Sequence, residues 1–308
     1  MPRLSAVGIS GLQAGEDVNV DSASPATPPH APALLPLVAN VLTATLPGGR
    51  YLLPATLQPM LLAITHGEIR LAPADLLRPA EACPALPVLG LCGATRSVRE
   101  AWATPGTQIL AVTVRTGQLP RLFGVSAQDV MEEFVPLDTL APPAWVASWA
   151  QRLRQAGTPA ACRHALETGL CTQAARHMQR SPDLVLPQVC LDWPLARLAE
   201  HCQLGVRQFE RQFLRAYGQS LRQFRQQWRC SQLLASQVFG MSSASKPRPW
   251  ADIALDGAYF DQAHFSRDMR RFTGYSPAQL ARQLAEQDPA LWPYRFNSMD
   301  ARRVLGME

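Results

Sequence analysis

The same helical pattern occurs twice in the last third of the chain, and this repetition restricts the possible folds more than any other feature. In the first copy, apolar residues recur at helical spacing over 195–202, a break follows at 203–205, and a second helix ends at Gly218. In the second copy, a short helix begins near Trp250 and another ends at Gly274. Two short helices with a tight break between them form a helix-turn-helix unit. The pattern therefore predicts an all-α C-terminal region with two such units.

A long helix is predicted between the two units, from about 220 to 238. In the first unit, apolar spacing predicts a buried stripe made of Phe209, Phe213 and Leu214. In the second unit, the same reasoning places Asp268 on the outward face, beside the basic side chains.

The first half of the chain follows a different pattern, in which glycine and proline punctuate short apolar runs such as LVANVLTATL and TQILAVTV. Such runs are typical of β-strands and turns. One predicted hairpin pairs 98–102 with 108–114 across the turn TPGT. Helical spacing then appears over 142–178. We therefore assign the α+β class, with an N-terminal, mainly β domain that also carries helices and a C-terminal all-α domain of two helix-turn-helix units joined by a long helix.

Positive charge is concentrated in the segment that carries the repeated pattern. Residues 195–282 contain 12 arginines and one lysine against six acidic residues, whereas residues 1–180 contain 13 arginines against 12 acidic residues. A basic patch confined to one segment indicates a polyanionic partner. No apolar run approaches the roughly 20 residues that span a bilayer, so we expect no membrane partner.

The repeated segment also resembles a known family. The stretch IALDGAYFDQAHFSRDMRRFTGYSP (253–277) resembles the C-terminal signature of AraC/XylS-type transcription regulators, and LARLAEHCQLGVRQFERQFLRAYG (195–218) resembles their first helix-turn-helix. The resemblance covers about 195–285, and residues 34–140 resemble, more loosely, the N-terminal domain of one subgroup. Ala258, Gly205 and Leu221 depart from the usual glycine, serine and proline of the family. The resemblance implies a regulator that binds specific promoter DNA and alters recruitment of RNA polymerase.

The resemblance and the charge pattern together suggest four segments. Residues 1–33, rich in proline, serine and alanine, are expected to be a disordered leader. Residues 34–180 are expected to form a sensor or dimerisation domain, β-rich to about 115 and then helical. Residues 181–288 are expected to form the AraC-type DNA-binding domain, and 289–308 a C-terminal tail.

Two groups of side chains have the spacing of base-contacting residues on a recognition helix, and the resemblance points to the same positions. Residues at i, i+3 and i+4 share one helix face, and arginine bound to guanine is the commonest specific contact in the major groove. The first group is Arg207, Glu210 and Arg211, and the second is Ala263, His264 and Arg267. Flanking residues, including Arg225, are expected to contact phosphate, which positions the protein without reading sequence. The full candidate set for DNA binding is Arg207, Gln208, Glu210, Arg211, Arg215, Arg222, Gln262, Ala263, His264, Arg267, Arg270 and Arg271.

Sites for catalysis or for a metal are poorly supported. The sequence contains no nucleophile elbow, metalloprotease, P-loop or dinucleotide-binding motif in a suitable context. Adjacent Glu132 and Glu133 would point apart on a helix, and Cys92 is expected in a strand. The nearest approach to a metal cluster combines Cys162, His164, Cys171 and His177, whose spacing matches no zinc pattern. We therefore expect no enzymatic activity, metal or cofactor.

The sequence-based hypothesis is a cytoplasmic, sequence-specific DNA-binding transcription regulator. Its expected partners are double-stranded DNA and RNA polymerase, and a small-molecule effector at the N-terminal domain and a homodimer are left open. The alternative is a small-molecule or thiol-responsive enzyme or sensor domain fused to a non-specific DNA-binding module.

Overall fold

The computed structural model describes residues 24–73, 78–240, 262–286, 288 and 291. The N-terminal part contains two β-sheets and two longer helices, and the C-terminal part is helical, which confirms the predicted fold class. The short first helix of the second unit, predicted near Trp250, and the tail at 289–308 lie outside the described residues, apart from Leu291 in the tail. Within the described residues, no helix has both the length and the apolar character needed to cross a membrane.

The strands form two antiparallel sheets. The larger has six strands in the order β1-β2-β8-β4-β6-β9, and the smaller has three in the order β3-β7-β5. The strands are β1 (Ser24–Thr27), β2 (Val38–Leu46), β3 (Gly49–Leu53), β4 (Met60–His66), β5 (Ile69–Leu71), β6 (Leu89–Cys92), β7 (Arg99–Ala103), β8 (Thr107–Val114) and β9 (Phe134–Pro136).

The predicted hairpin is wrong, because β7 and β8 belong to different sheets. Strand β7 pairs with β3 and β5, whereas β8 pairs with β2 and β4. The turn between them contains Gly106 in the left-handed region, with φ of 75°. Nearly every residue of β8 is buried, so its side chains on both faces are covered. Apolar residues on both faces remove the alternation that would have shown which strand is its neighbour.

The structure also differs from the expected disordered leader at residues 24–33. Strand β1 pairs antiparallel with β2. The backbone N–H groups of His30 and Ala31 donate to the carboxylate of Glu167, and Arg163 donates to Thr27 and Pro28. Proline-rich composition concealed this order, because the bonds depend on residues about 136 positions away.

Helices cover one face of the larger sheet. They are α1 (Leu119–Phe123), α2 (Pro143–Gln155) and α3 (Pro159–Arg176). Trp149 of α2 is fully buried and donates to the carbonyl of Ala165 at 3.0 Å. Gly169 lies directly against the Trp149 ring, and a Cβ atom there would come within 2.0 Å of it. The indole thus fixes how α2 and α3 pack. Strand β9 also follows α1, so β-structure continues beyond the expected limit near 115.

The C-terminal helices form two apolar clusters that share the long helix. The helices are α4 (Leu195–His201), α5 (Val206–Tyr217), α6 (Leu221–Gly240), α7 (Gln262–Thr273) and α8 (Pro277–Ala285). The first part of α6 packs with α4 and α5 through Leu221 and Phe224. Further along, Cys230 and Leu234 pack with α7 and α8. One helix therefore carries both units.

Helix ends in this region follow local sequence signals. Helices α5 and α7 end at Gly218 and Gly274, whose φ values are 71° and 82°. Glycine adopts this left-handed conformation at little cost, which explains both stops. Ser276 and Gln279 form a reciprocal capping box at the start of α8.

Candidate DNA-binding surface

Helix α5 presents the first predicted group of residues to solvent. Arg207, Glu210 and Arg211 are all exposed, whereas Phe209 and Phe213 on the opposite side are fully buried. The burial of the two phenylalanines fixes the rotation of α5 about its own axis. The structure therefore brings the first predicted group together on one outward face. Leu214, expected in the buried stripe, is 36% exposed, so that detail of the prediction is wrong.

The flanking candidates of the first unit differ in their contacts. Gln208 on α5 and Arg222 on α6 are exposed. Arg215 is also exposed, but its Nε atom donates to Asp183 Oδ1 at 2.9 Å. Asp183 belongs to the segment that leads into α4, so Arg215 links the first unit to that segment.

Helix α7 presents most of the second predicted group. Ala263, Arg267 and Arg270 are exposed at i, i+4 and i+7, and Phe265 and Met269 are fully buried. His264 is half-buried, with Nε2 3.8 Å from Asp268 Oδ2. Two further candidates for DNA binding, Gln262 and Arg271, contribute less to this exposed face. Gln262 is the first residue of α7, and its side chain lies outside the part of the chain that the structure describes. Arg271 is exposed, and its Nε atom donates to the carbonyl of Arg96 at 3.2 Å.

Asp268 does not face outward as expected. It is only 5% exposed, and Gln226 Nε2 on α6 donates to its two carboxylate oxygens at 2.8 and 3.0 Å. The reason is that position 268 lies three residues after buried Phe265, on the side of α7 that packs against α6. The pair fixes α7 on the long helix. In the sequence, the three-residue spacing from Phe265 indicated that position 268 is buried. The charge of Asp268 instead favoured an exposed position.

Arg225 also differs from the expected phosphate contact. Its side chain is half-buried and donates to the carbonyl oxygens of Leu191 and Trp193. Burial lowers the pKa of the Arg225 guanidinium below its ordinary value, with nearby Asp192 acting in the opposite direction. The guanidinium therefore fastens the segment before α4 to α6. Helix α4 itself begins after Pro194, its N-cap residue, which supplies no side-chain hydrogen bond.

The C-terminal end of α7 is attached to the N-terminal part by two main-chain hydrogen bonds, and neighbouring α6 is attached by one side-chain bond. The N–H of Ala55 donates to the carbonyl of Phe272 at 2.8 Å, and the N–H of Val98 donates to that of Arg271 at 2.9 Å. Gln227 of α6 donates to the carbonyl of Thr95 at 2.9 Å. We call these three bonds the α7 attachment. Main-chain contacts of this kind leave no pattern in the sequence.

Glu132 organises the loop that makes the α7 attachment. Its carboxylate accepts from the Arg96 side chain at 2.8 Å and from the Arg96 N–H at 3.1 Å, and its carbonyl accepts from Arg99 at 2.7 Å. Burial alone would raise the pKa of Glu132, but the bonds from Arg96 outweigh it and lower the pKa below 4.5. Glu132 is thus an ionised structural residue. Its φ of 62° is uncommon outside glycine.

The candidates for thiol or metal chemistry lack the required environment. Burial raises the pKa of the Cys92 thiol to about 12, despite the opposing charge of Arg99. A thiol with such a pKa is protonated at neutral pH and therefore a weak nucleophile. Among the residues described by the structure, no group of three His, Cys, Asp or Glu side chains is placed to hold a metal ion.

Comparison with known proteins identifies the C-terminal part. Residues 198–283 match the family described as a helix-turn-helix domain. No curated protein matches the chain significantly. These boundaries begin within α4 and end within α8, so they enclose both groups of exposed residues.

Several solved structures show a weaker overall similarity. An apo variant of ToxT from Vibrio cholerae is 11% identical, covers 80% of this chain and 97% of that chain, and gives a TM-score of 0.43. ToxT in another crystal form is 10% identical, with coverages of 78% and 96% and a TM-score of 0.41. ToxT with a bound unsaturated fatty acid is 11% identical, with coverages of 78% and 93% and a TM-score of 0.39.

The family match and the two outward-facing helices agree with each other. A recognition helix needs one buried face that fixes its orientation and one exposed face that can enter the major groove. Helices α5 and α7 both meet this requirement. Residues 198–283 form an AraC-type helix-turn-helix domain, and the chain is a DNA-binding transcription regulator.

Proposed function

We propose that the chain recognises a specific promoter site with α5 and α7, which enter successive major grooves about 34 Å apart. The supporting observation is that both helices expose most of their predicted base-contacting residues, while Phe209 and Phe213 of α5 and Phe265 and Met269 of α7 are fully buried on the opposite faces. Because α6 packs with both units, it fixes the position of α5 relative to α7, so that the two helices form one DNA-contacting surface.

Different residues of this surface have different roles in the proposal. Arg211 and Arg267 bind guanine, Glu210 accepts from cytosine, and Ala263 contacts a thymine methyl group, with Arg207 and His264 completing the base-facing groups. Gln208, Arg222, Gln262 and Arg270 contact the phosphate backbone. Arg215 and Arg271 join this second group only when they give up their contacts to Asp183 and Arg96.

The remaining parts of the proposal concern the rest of the chain. Residues 34–180 act as a sensor or dimerisation domain that responds to a small-molecule effector or to a partner, and 181–288 act as the DNA-binding domain. The regulator works in the cytoplasm, has no catalytic activity of its own, and alters recruitment of RNA polymerase. The α7 attachment supports a sensor role, because it gives the N-terminal part a direct physical route to the second recognition helix.

Selection from random duplex DNA tests this function. The full chain is bound to the pool at two salt concentrations, and the retained duplexes are sequenced. We expect an enriched motif with two segments about one helical turn apart. The Arg211→Ala/Arg267→Ala double variant should lose the enrichment, whereas the Arg152→Ala/Arg154→Ala variant, altered on exposed positions of α2, should keep it. Salt-sensitive binding without any enriched motif would favour the alternative of a non-specific module.

A further inference from the structure

The loop between β3 and β4, residues 54–59, contributes to the apolar cores of both helix-turn-helix units. Ala55 is only 4% exposed and belongs to the apolar cluster of the second unit, together with Phe265. Leu57, two residues further along, is equally buried and belongs to the cluster of the first unit, together with Phe213. One short segment of the N-terminal part therefore packs against both units. We call it the β3–β4 loop.

Main-chain hydrogen bonds fix both ends of the β3–β4 loop. At its start, the N–H of Ala55 donates to the carbonyl of Phe272 in α7 at 2.8 Å. At its end, the carbonyl of Pro59 accepts from the N–H of Val114 in β8 at 3.0 Å. Strand β8 lies in the interior of the larger sheet, between β2 and β4. The loop therefore connects the second recognition helix to the centre of that sheet.

A chain of hydrogen bonds connects the middle of the β3–β4 loop to the first unit. The N–H of Thr56 donates to Thr95 Oγ1, and the N–H of Thr95 donates to the carbonyl of Thr56, both at 3.0 Å. The carbonyl of Thr95 accepts from Gln227 Nε2 on α6 at 2.9 Å, and Gln227 Oε1 accepts from Gln219 Nε2 at 3.0 Å. Gln219 lies just beyond the end of α5. Because both ends of the buried Gln227 amide are paired, its orientation is defined.

The C-terminal ends of both recognition helices also lie directly against the N-terminal part. A Cβ atom on Gly218, which ends α5, would come within 2.7 Å of Met131 Sδ and 3.1 Å of the carbonyl oxygen of Ala127. A Cβ atom on Gly274, which ends α7, would come within 2.8 Å of Leu52 Cδ1. The two helices therefore contact the same body at equivalent positions.

These contacts add a second connection between the two units, beside the long helix. Helix α6 has 20 residues, a length of about 30 Å at 1.5 Å per residue. The first unit packs on its early part and the second on its later part. Long helices curve, and a bend between these two parts would change the angle between α5 and α7. A second connection that contacts both units removes this freedom.

We propose that the β3–β4 loop is a brace that fixes the angle between α5 and α7 and thereby determines which spacing of the two DNA segments the chain accepts. Ala55 and Leu57 are positioning residues, because both are buried inside the protein and act through the recognition helices. One base pair more or less rotates the second DNA segment by about 34–36°, so a braced pair of helices accepts one spacing and a loose pair accepts several. This inference rests on the proposed function and adds the origin of its spacing specificity.

The test compares Leu57→Ala with Leu153→Ala in the full chain. Leu153 is fully buried in the core between α2 and the larger sheet, so both variants lose the same buried side chain. Duplexes carry the two segments of the selected motif at the selected spacing, or with one base pair added or removed. The unaltered chain and Leu153→Ala should lose about tenfold or more in affinity when the spacing changes, whereas Leu57→Ala should lose less than about threefold.

A milder variant keeps the test decisive if Leu57→Ala does not fold. Thr95→Val removes the acceptor for the Thr56 N–H but keeps the shape of the side chain. It should also reduce the loss of affinity at altered spacing, whereas Thr172→Val, at an exposed position of α3, should not. Thermal unfolding verifies that each variant is folded.

A second measurement does not depend on DNA. Spin labels on p-acetylphenylalanine, introduced at the exposed positions of Gln208 and Arg270, report the distance between α5 and α7 by pulsed electron paramagnetic resonance. The distance distribution should be narrow in the unaltered chain and in Leu153→Ala, and broader in Leu57→Ala.

The two measurements separate this inference from the proposed function. A selected motif whose spacing penalty is the same in the loop variants and their controls refutes the brace alone, and so do equal distance distributions. A distribution that broadens in Leu57→Ala, in a chain that selects no DNA motif, refutes the proposed function alone.

Discussion

Glu167 on α3 shows how one buried carboxylate orders a distant segment. Its carboxylate accepts from the N–H groups of His30 and Ala31 and from Arg163 Nε, at distances of 2.9 to 3.0 Å. Burial alone would raise its pKa, but these bonds outweigh burial and lower the pKa below 4.5. The charge of Glu167 therefore stabilises the segment around His30 and Ala31, just after β1. Composition alone had predicted that this segment is disordered.

Replacement of Glu167 by glutamine should make stability less dependent on pH. Because the pKa is lower in the folded state than in the unfolded state, the stabilisation is present above 4.5 and is lost as the pH falls through the folded value. We expect Glu167→Gln to lower the free energy of unfolding at neutral pH by about 1–3 kcal/mol. The difference should disappear in acid. Urea unfolding at several pH values measures it.

The control for this prediction is Glu200→Gln, at an exposed position of α4. It removes the same charge without the buried bonds. An equal loss of stability in both variants, or a loss in Glu167→Gln that persists at low pH, would show that Glu167 does not act through its ionised form.

Base-contacting and phosphate-contacting arginines should differ in how their loss affects DNA binding. Arg211→Ala and Arg267→Ala should each relax specificity at one base position, at a cost of about 1–3 kcal/mol on the selected site. Arg222→Ala should weaken binding to all sequences and reduce the slope of log K against log salt by about one unit. Binding isotherms on matched and mismatched duplexes at several salt concentrations measure both effects. Uniform weakening by all three variants would refute these roles.

At the scale of elements, each recognition helix is oriented by its apolar side, and α7 is also held by a polar contact. Phenylalanine spacing sets the rotation of α5 and α7. The bond from Gln226 to buried Asp268 then joins α7 to the long helix. Because the acceptor is the carboxylate of Asp268, loss of the Gln226 amide leaves this buried group without its hydrogen-bond donor.

A double-mutant cycle measures the coupling between Gln226 and Asp268. Gln226→Leu should reduce the free energy of unfolding by about 1.5–3 kcal/mol, because it leaves the carboxylate without its amide donor. Adding Asp268→Leu should recover part of that loss, since an apolar pair has no unsatisfied group. Additive losses across the cycle would mean that the bond contributes nothing. Helix α7 should also read DNA less specifically in Gln226→Leu.

At the scale of the whole molecule, the N-terminal part holds the second recognition helix through its backbone. The α7 attachment joins the loop after β3 and the loop before β7 to the end of α7 and to α6. Glu132 fixes one of these loops through Arg96 and Arg99. The position of α7 therefore depends on loops of the N-terminal part as well as on its own residues.

Loosening the loop at Arg96 should expose the α7 attachment to solvent. We expect Glu132→Gln to accelerate hydrogen exchange at the N–H of Val98, with a loss of global stability below about 1 kcal/mol because the ion pair is partly exposed. Exchange at buried Leu61 of β4 should not change. Glu133→Gln, which removes the neighbouring charge, is the matched control. Equal exchange rates at Val98 in the two variants would contradict this account.

The features predicted correctly from the sequence are those that depend on local pattern. Helical spacing and glycine stops located α5 and α7, and the i, i+3, i+4 rule placed Arg207, Glu210 and Arg211 on one face. The features predicted wrongly depend on long-range contacts. Asp268 packs against another helix, and β7 and β8 separate into two sheets.

The sequence by itself determined that this protein has a basic, double helix-turn-helix region with two outward faces suited to DNA. That information is local, because apolar periodicity, capping residues and charge are read within a few turns of a helix. Only the tertiary structure decided how the strands pair, which polar residues are buried, and how the N-terminal part is joined to α7. Main-chain hydrogen bonds and packing partners distant along the chain fix these features, and they leave no periodic pattern in the residues that take part.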